Sequence, residues 1–289
     1  MTTEWRFGEV TIQRVVEQEQ AFLSALDMFP GLTPALLIEN REWLEAGHAL
    51  DADGALRLCF QTFVILTPRH VVLVDSCIGN DKSRPARPAW DMKADDRFLH
   101  GLAALNLAPE DIDYVMCTHL HADHVGWNTR LLDGRWVPTF PNARYVFAQA
   151  EYTHWEALQA IAPIPAFIDS VLPVVEAGRA DLVAGDHGLG DHIRLLPTPG
   201  HTPGHVSVLV GAGATEAVVS GDLIHSPLQA RYPELSTRFD VDMAQAATTR
   251  RGFLERFCDT PTLCCMTHFP SPSVGRLTRW GEGFRCEPT

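Results

Sequence analysis

Residues 118–124 read Thr118-His119-Leu120-His121-Ala122-Asp123-His124. They follow the apolar run Tyr114-Val115-Met116-Cys117, so the pattern predicts a short buried strand over 113–118 that runs straight into the histidines. In an extended stretch His119, His121 and Asp123 point to one side, and a turn after them brings His124 round beside them. Three imidazoles and one carboxylate then converge. These are the ligands that a borderline divalent cation such as zinc accepts. The plainer alternative is a polar loop that happens to be rich in histidine. It would bury four such groups at a cost of several kcal/mol each, less whatever hydrogen bonds they make.

The elements that must position this cluster can be read outward from it. Arg57–Thr67 and His70–Asp75 read as strands joined at Thr67-Pro68-Arg69, the second ending in the Gly loop Ser76-Cys77-Ile78-Gly79-Asn80. Glu9–Glu17 alternates as a strand. A polar, Pro-rich loop covers 81–92, and Phe98, Leu102 and Leu105 give 95–107 helical spacing. Trp127–Phe140 reads as a hairpin turning at Asp133-Gly134. A strand over 144–147 and helices over 150–160 and 166–177 follow. The second half reads as strands over 192–197, 205–210 and 216–220, and a helix capped by Asp242 that runs to about Cys258. A last apolar strand over 262–267 precedes a short tail from Phe269. Strands with helices, then strands with helices again, fit two sheets with helices outside, in one domain over 1–289.

Composition narrows the function. Of 289 residues, 23 are Lys or Arg and 36 are Asp or Glu, so the net charge of −13 opposes a broad nucleic-acid surface or tight binding to anionic membranes. With 46% hydrophobic residues the chain can fill a large core and is not disordered. Its apolar runs, such as Phe63–Leu66 and Val71–Val74, are far too short to span a bilayer, and the first residues lack the pattern of a signal peptide. Seven cysteines form an odd set without a CxxC pair, which reads as reduced thiols in a cytoplasmic protein. A redox or catalytic thiol is the alternative, and Cys77, at a strand end, is its candidate.

The 118–124 motif resembles the HxHxDH signature of the metallo-β-lactamase-fold superfamily, and later motifs match that family in order. Thr198-Pro199-Gly200-His201-Thr202-Pro203-Gly204-His205 matches its loop histidine, giving His201. Ser220-Gly221-Asp222 matches its bridging aspartate, and Cys264-Cys265-Met266-Thr267-His268 its last histidine. The resemblance covers about residues 57–275, leaving an N-terminal extension of about 50 residues. It implies an α/β fold, the αββα four-layer sandwich, with two divalent metal ions, zinc first and manganese, iron or cobalt as alternatives. One ion would take His119, His121 and His201, the other Asp123, His124 and His268, with Asp222 shared. The implied reaction is hydrolysis by a hydroxide bridging the metals, with Asp123 carrying a proton to the leaving group. Asp75 stands where the family often keeps an aspartate that orients a ligand histidine, or else it is a loop cap. His205 reads as a buried neighbour of the site rather than a ligand. His48, His70, His100, His154, His187 and His192 belong to no motif.

Within the family, Asp222 at the bridge and the missing signal peptide oppose a periplasmic β-lactamase, and the short tail opposes glyoxalase II. The remaining resemblance is to the branch of small-lactone hydrolases and methyl-parathion-type hydrolases. It implies opening of a lactone or cleavage of an ester of a small, partly apolar substrate. Organophosphate or aryl-ester hydrolysis is the alternative within that branch, and a non-catalytic metal-binding regulator or a redox di-iron protein lies outside it. Many quorum-quenching lactonases carry Tyr three residues after the bridging Asp. Here that residue is His225, which either donates a hydrogen bond to the substrate or merely lines the loop. Trp90, Trp127, Trp136 and Phe140 wall an apolar pocket or pack in the core, and Arg84, Arg87 and Lys93 bind an acidic substrate group or are solvated. Dimerisation is common in the resembled branch, though no residue pattern points to a homodimer.

Overall fold

The protein is described here by a computed structural model covering residues 4–212 and 216–289. The chain divides into two units, one formed by residues up to Glu17 with Phe60–His187, the other by Gln18–Cys59 with Gly188–Thr289.

The strands of the first part are β1 (Trp5–Phe7), β2 (Val10–Ser24), β3 (Ala55–Leu66), β4 (Val71–Val74), β5 (Tyr114–Met116), β6 (Thr129–Leu132), β7 (Arg135–Pro138), β8 (Arg144–Ala148) and β9 (Ala180–Val183). One seven-stranded sheet has the order β1-β2-β3-β4-β5-β8-β9. Its centre is parallel, β4 with β5, β5 with β8 and β8 with β9. Central parallel strands are buried on both faces, which is why Val71–Val74 and Tyr114–Met116 read as unbroken apolar runs. The single strand expected over 9–17 is instead a hairpin, β1 and β2 turning at Gly8 with φ 56°, and β2 continues to Ser24. β6 and β7 form the expected hairpin, with positive φ at Asp133 and Gly134 (50° and 75°) as a two-residue turn requires.

The helices are α1 (Ala25–Met28), α2 (Pro34–Ala46), α3 (Arg97–Ala104), α4 (Ala122–Val125), α5 (Gln149–Gln159), α6 (Leu172–Glu176), α7 (Pro227–Arg231) and α8 (Met243–Phe257). Phe98 and Leu102 of α3 pack with Val64, Leu73, Val115 and Tyr145 in the core of the first unit. The segment before α6 winds as a π-helix over Phe167–Val171, which puts Phe167 and Val171 into the same core.

The second sheet is β10 (Gly188–Leu189), β11 (Ile193–Pro197), β12 (Val206–Val210), β13 (Ala217–Val219), β14 (Leu263–Cys265), β15 (Val274–Trp280) and β16 (Gly283–Pro288), paired in that order. Asp242 caps α8 by accepting the Gln245 N–H at 2.9 Å, as its sequence predicts. α8 lays Phe253, Leu254 and Phe257 against Val218, Cys264, Leu277 and Phe284. The short tail expected after Phe269 is corrected. It holds the antiparallel pair β15 and β16, which buries Leu277 and Phe284 completely. Among the described residues no helix is long and apolar enough to cross a membrane.

Candidate metal centre

In the first unit the sheet delivers the motif as expected, but the motif is not extended throughout. β5 ends at Met116, and Asp123 and His124 sit in the single helical turn of α4. Asp123 therefore reaches the cluster from a helix rather than by strand alternation with His119 and His121. His119 Nε2 and His121 Nδ1 stand 2.9 Å apart. Asp75, at the end of β4, takes the Thr118 N–H at 2.7 Å on one oxygen, and the other lies 2.9 Å from His124 Nδ1. Asp75 is thus an orienting residue in geometry, buried to 1% exposure with His124 at 0%. The loop that follows Asp75 is laced to the motif by Ser76 N–H to the His124 carbonyl (2.7 Å) and Gly126 N–H to the Cys77 carbonyl (2.7 Å). A side chain cannot enter there, because a Cβ on Gly126 would meet the Ile78 carbonyl oxygen at 1.9 Å.

Glu17 of β2 fastens the same loop from beneath. It accepts the Ile78 N–H and the Trp127 indole N–H, each at 2.7 Å, and pairs with Lys93 at 2.8 Å. Burial pushes its carboxyl above the usual range, against the pull of Lys93.

In the second unit the 198–205 loop, the turn after β13 and the end of β14 supply His201, Asp222, His225 and His268, all at most 3% exposed. His201 Nδ1 lies 2.8 Å from Asp240, and His268 Nδ1 lies 2.8 Å from the Cys59 carbonyl oxygen. Their Nε2 atoms face Asp222 at 3.4 and 2.9 Å, and His225 Nε2 faces it at 3.1 Å. Asp222, His225 and His268 each offer a ligand atom, all within 4.8 Å of one another. Burial holds His225 below the usual imidazole range, although Asp222 opposes it. Burial alone would raise the Asp240 carboxyl, but the bond to His201 and the nearby Arg250 hold it at about 2. His205 is not placed as a ligand, since its Nε2 accepts the Asp222 N–H at 2.9 Å and its Nδ1 faces the Thr198 carbonyl at 3.1 Å.

These contacts test whether the residues suit a cation. A neutral imidazole carries one N–H. His124, His201 and His268 each direct Nδ1 at an oxygen that can only accept, so that nitrogen holds the proton. Their Nε2 lone pairs then face outward, those of His201 and His268 toward a carboxylate. Lone pair against carboxylate is repulsive unless positive charge lies between them. A divalent cation supplies that charge to every ligand at once, so the donor set fits one.

Other expected residues fall elsewhere. Trp127 stacks on Phe98 (5.2 Å between centroids), Phe140 is fully buried, and Trp136 covers the Lys82 ammonium at 3.8 Å. Trp90 alone of the four aromatics lines a cavity of about 420 Å³ beside His121, together with Trp155. Lys93 is committed to Glu17 and Asp95. Asp240, Glu17 and Trp155 were not singled out by sequence. Each carries its role through a partner distant in the chain, and a lone acid or aromatic has no local signature. Cys77 is buried at 0% exposure.

A family model described as Metallo-beta-lactamase superfamily matches residues 57–256. An N-acyl homoserine lactonase from a Bacillus species is 33% identical over 119 residues, 41% of this chain and 41% of that protein. Metallo-beta-lactamase domain-containing protein 1 of Xenopus laevis is 32% identical over 179 residues, 61% of this chain and 60% of that protein. The match to the lactonases thus spans about two-fifths of their length. Among solved structures, hydrolase AbOPH aligns with TM-score 0.82 and 22% identity, covering 100% of this chain and 97% of that one. AidC, described as a dizinc quorum-quenching lactonase, aligns with TM-score 0.78 and 20% identity over 100% and 97% of the two chains. At such identities the likeness is one of fold.

Proposed function

The chain belongs to the metallo-β-lactamase superfamily, and we propose that it is a metal-dependent hydrolase that opens a lactone or cleaves an ester of a small, partly apolar substrate. The observation that carries this reading is the set of buried imidazoles locked with Nε2 lone pairs outward, two of them turned on Asp222. We assign His119, His121 and His201 to one cation, Asp123, His124 and His268 to a second, and Asp222 to both. Zinc is the ion these donors suit first. Two such cations, when bound, polarise a substrate carbonyl and let water ionise near neutral pH.

The chain's own residues do the rest. Asp75 and Asp240 hold their histidines in the tautomer that leaves Nε2 free to ligate. Asp123, whose side chain is 14% exposed, can take up the proton released by the attacking water and pass it to the departing alkoxide. His225, kept neutral by burial, presents Nε2–H as a donor, here spent on Asp222, that can turn to the substrate carbonyl oxygen. The names of the lactonase relatives support a lactone as substrate.

The test is proton release by zinc-loaded protein on lactones, aryl esters, phosphotriesters and β-lactams, with Asp222→Asn alongside. Turnover of lactones or esters, lost by roughly a hundredfold or more in the variant, is expected. Full activity of Asp222→Asn at full metal content would overturn the assignment.

A further inference from the structure

Arg250 of α8 has no accessible surface and is one of the largest fully buried side chains among the described residues. A buried guanidinium is unfavourable unless its donors are met, and an apolar side chain of similar volume fills a core without that cost. Packing therefore does not account for it, and its partners must. Nε donates to the Leu223 carbonyl at 2.8 Å, and Nη1 to the Pro233 and Leu235 carbonyls at 2.8 and 2.7 Å. Nη2 reaches Asp240 Oδ2 at 3.3 Å, between two side chains that are wholly buried.

These partners stand one step from the site, all within the second unit. Leu223 follows Asp222 in the turn after β13. Asp240 turns its other oxygen to His201 Nδ1 at 2.8 Å. The Leu235 carbonyl takes a second bond from Gln229 Nε2 at 2.8 Å, and Gln229 Oε1 accepts the His225 N–H at 2.7 Å. The segment over 232–242, between α7 and α8, forms neither helix nor strand, so no ladder holds Asp240 in place. A guanidinium is planar and its donors have fixed directions, so it sets the separation of whatever it binds.

We propose that Arg250 is a positioning residue of the candidate metal centre: one guanidinium holds both the Asp222 turn and the Asp240–His201 pair, and so fixes the spacing of two ligands that must meet a cation together. It acts through Leu223 and Asp240, not on substrate. The inference rests on the assignment of His201 and Asp222 as ligands, and it places control of their geometry in α8. Lysine cannot reproduce this, because it offers Asp240 a point charge on a flexible stem and cannot span the same acceptors.

Two readouts, neither of them turnover, test it. The first is the His201 Nδ1–H proton of the metal-free protein, observed by NMR and assigned by its loss in His201→Gln. The second is zinc affinity, measured against a competing chelator. In Arg250→Lys the proton should exchange faster with water, and zinc affinity should fall by roughly tenfold, the lower end of the effect of removing an orienting partner. Arg250→Met should lose more, and Arg250→Lys decides the matter if Arg250→Met does not fold. Leu254→Ala is the control, since Leu254 is equally buried on α8 but belongs to the apolar core. It should melt earlier than the wild type and keep both readouts. If either readout in Arg250→Lys stays at its wild-type value, the proposal is overturned. An equal loss in Leu254→Ala also overturns it, by making Arg250 a source of stability alone. A wild type that takes up no zinc removes the ligand assignment and the proposal with it. If zinc affinity responds as expected while no lactone or ester turns over, Arg250 keeps this role and the hydrolase reading falls.

Discussion

Asp75 holds a left-handed backbone, φ 63°, at the end of a parallel strand, a conformation that aspartate tolerates better than most residues. That turn aims one oxygen at Thr118 and the other at His124. Asn would keep the first contact and present an N–H to the second. The imidazole would then move its proton to Nε2, where an ion is to bind. Asp75→Asn should therefore fold and lose metal affinity by 10- to 100-fold, roughly the effect of removing such an orienting partner. Metal titration by calorimetry checks it, and unchanged affinity would show that Asp75 only caps the loop. Lys82 makes a separate prediction. Burial holds its ammonium at about 8 against an ordinary 10.5, despite Asp169. The folded state thus disfavours the charged form, so stability is lowest below about pH 8 and rises as pH climbs toward 10.5. The difference corresponds to about 3 kcal/mol. Lys82→Met, which leaves the Arg84–Asp169 pair in place, should be the more stable protein at pH 7 by about 1–3 kcal/mol and should lose that alkaline rise. Urea titrations at pH 7 and pH 10 would show it.

At the scale of elements, the His201 loop is pressed onto the start of α8. The Val241 and Asp242 N–H groups donate to the His201 and Gly200 carbonyls at 3.0 Å each, and Thr249 donates to the Pro199 carbonyl at 2.7 Å. Gly200 has φ 136°, and a Cβ there would meet the Ala246 nitrogen at 2.3 Å. Gly200→Ala should push loop and helix apart, lowering stability by roughly 2–4 kcal/mol and moving His201 away from Asp240. Thermal melts with metal titration test it, and a wild-type melt with intact binding would contradict it. The same elements explain what the sequence reveals and what it hides. The Asp242 cap, the Asp133-Gly134 turn and the apolar runs of β4, β5 and β14 are local signals, and each lies where it reads. The last pair of strands is not legible, because only Val274, Leu277 and Phe284 mark its buried face among charged neighbours. α2 is likewise not read from the sequence, since Ile38 on its surface is 73% exposed and blurs the apolar stripe. The histidines were legible because their spacing is itself the chemistry. Asp240 was not, because its partner His201 lies 39 positions away and meets it only through the fold.

For the molecule as a whole, the proposed ligands run from His119 to His268, so no short stretch of unfolded chain can present the set. The 119–124 stretch can bind an ion weakly when unfolded, but only the folded chain presents the whole set, so ion binding would favour the folded state and raise its stability by up to the linkage term. With free zinc held roughly 100-fold above its dissociation constant, that term is about 2.7 kcal/mol per site. For domains of 150–250 residues a kcal/mol moves the melting temperature by roughly 2–4 °C, so stripping one ion should lower it by about 5–10 °C. Chelation followed by differential scanning calorimetry reads this directly, and re-addition of zinc should restore the melt. Asp222→Asn sharpens the comparison. It removes a carboxylate charge from among three buried imidazoles, so the metal-free variant should melt near the metal-free wild type while the zinc-dependent rise shrinks. If zinc were instead taken up by scattered surface groups, both proteins would bind it and neither melt would move, because such groups are equally available in the unfolded chain.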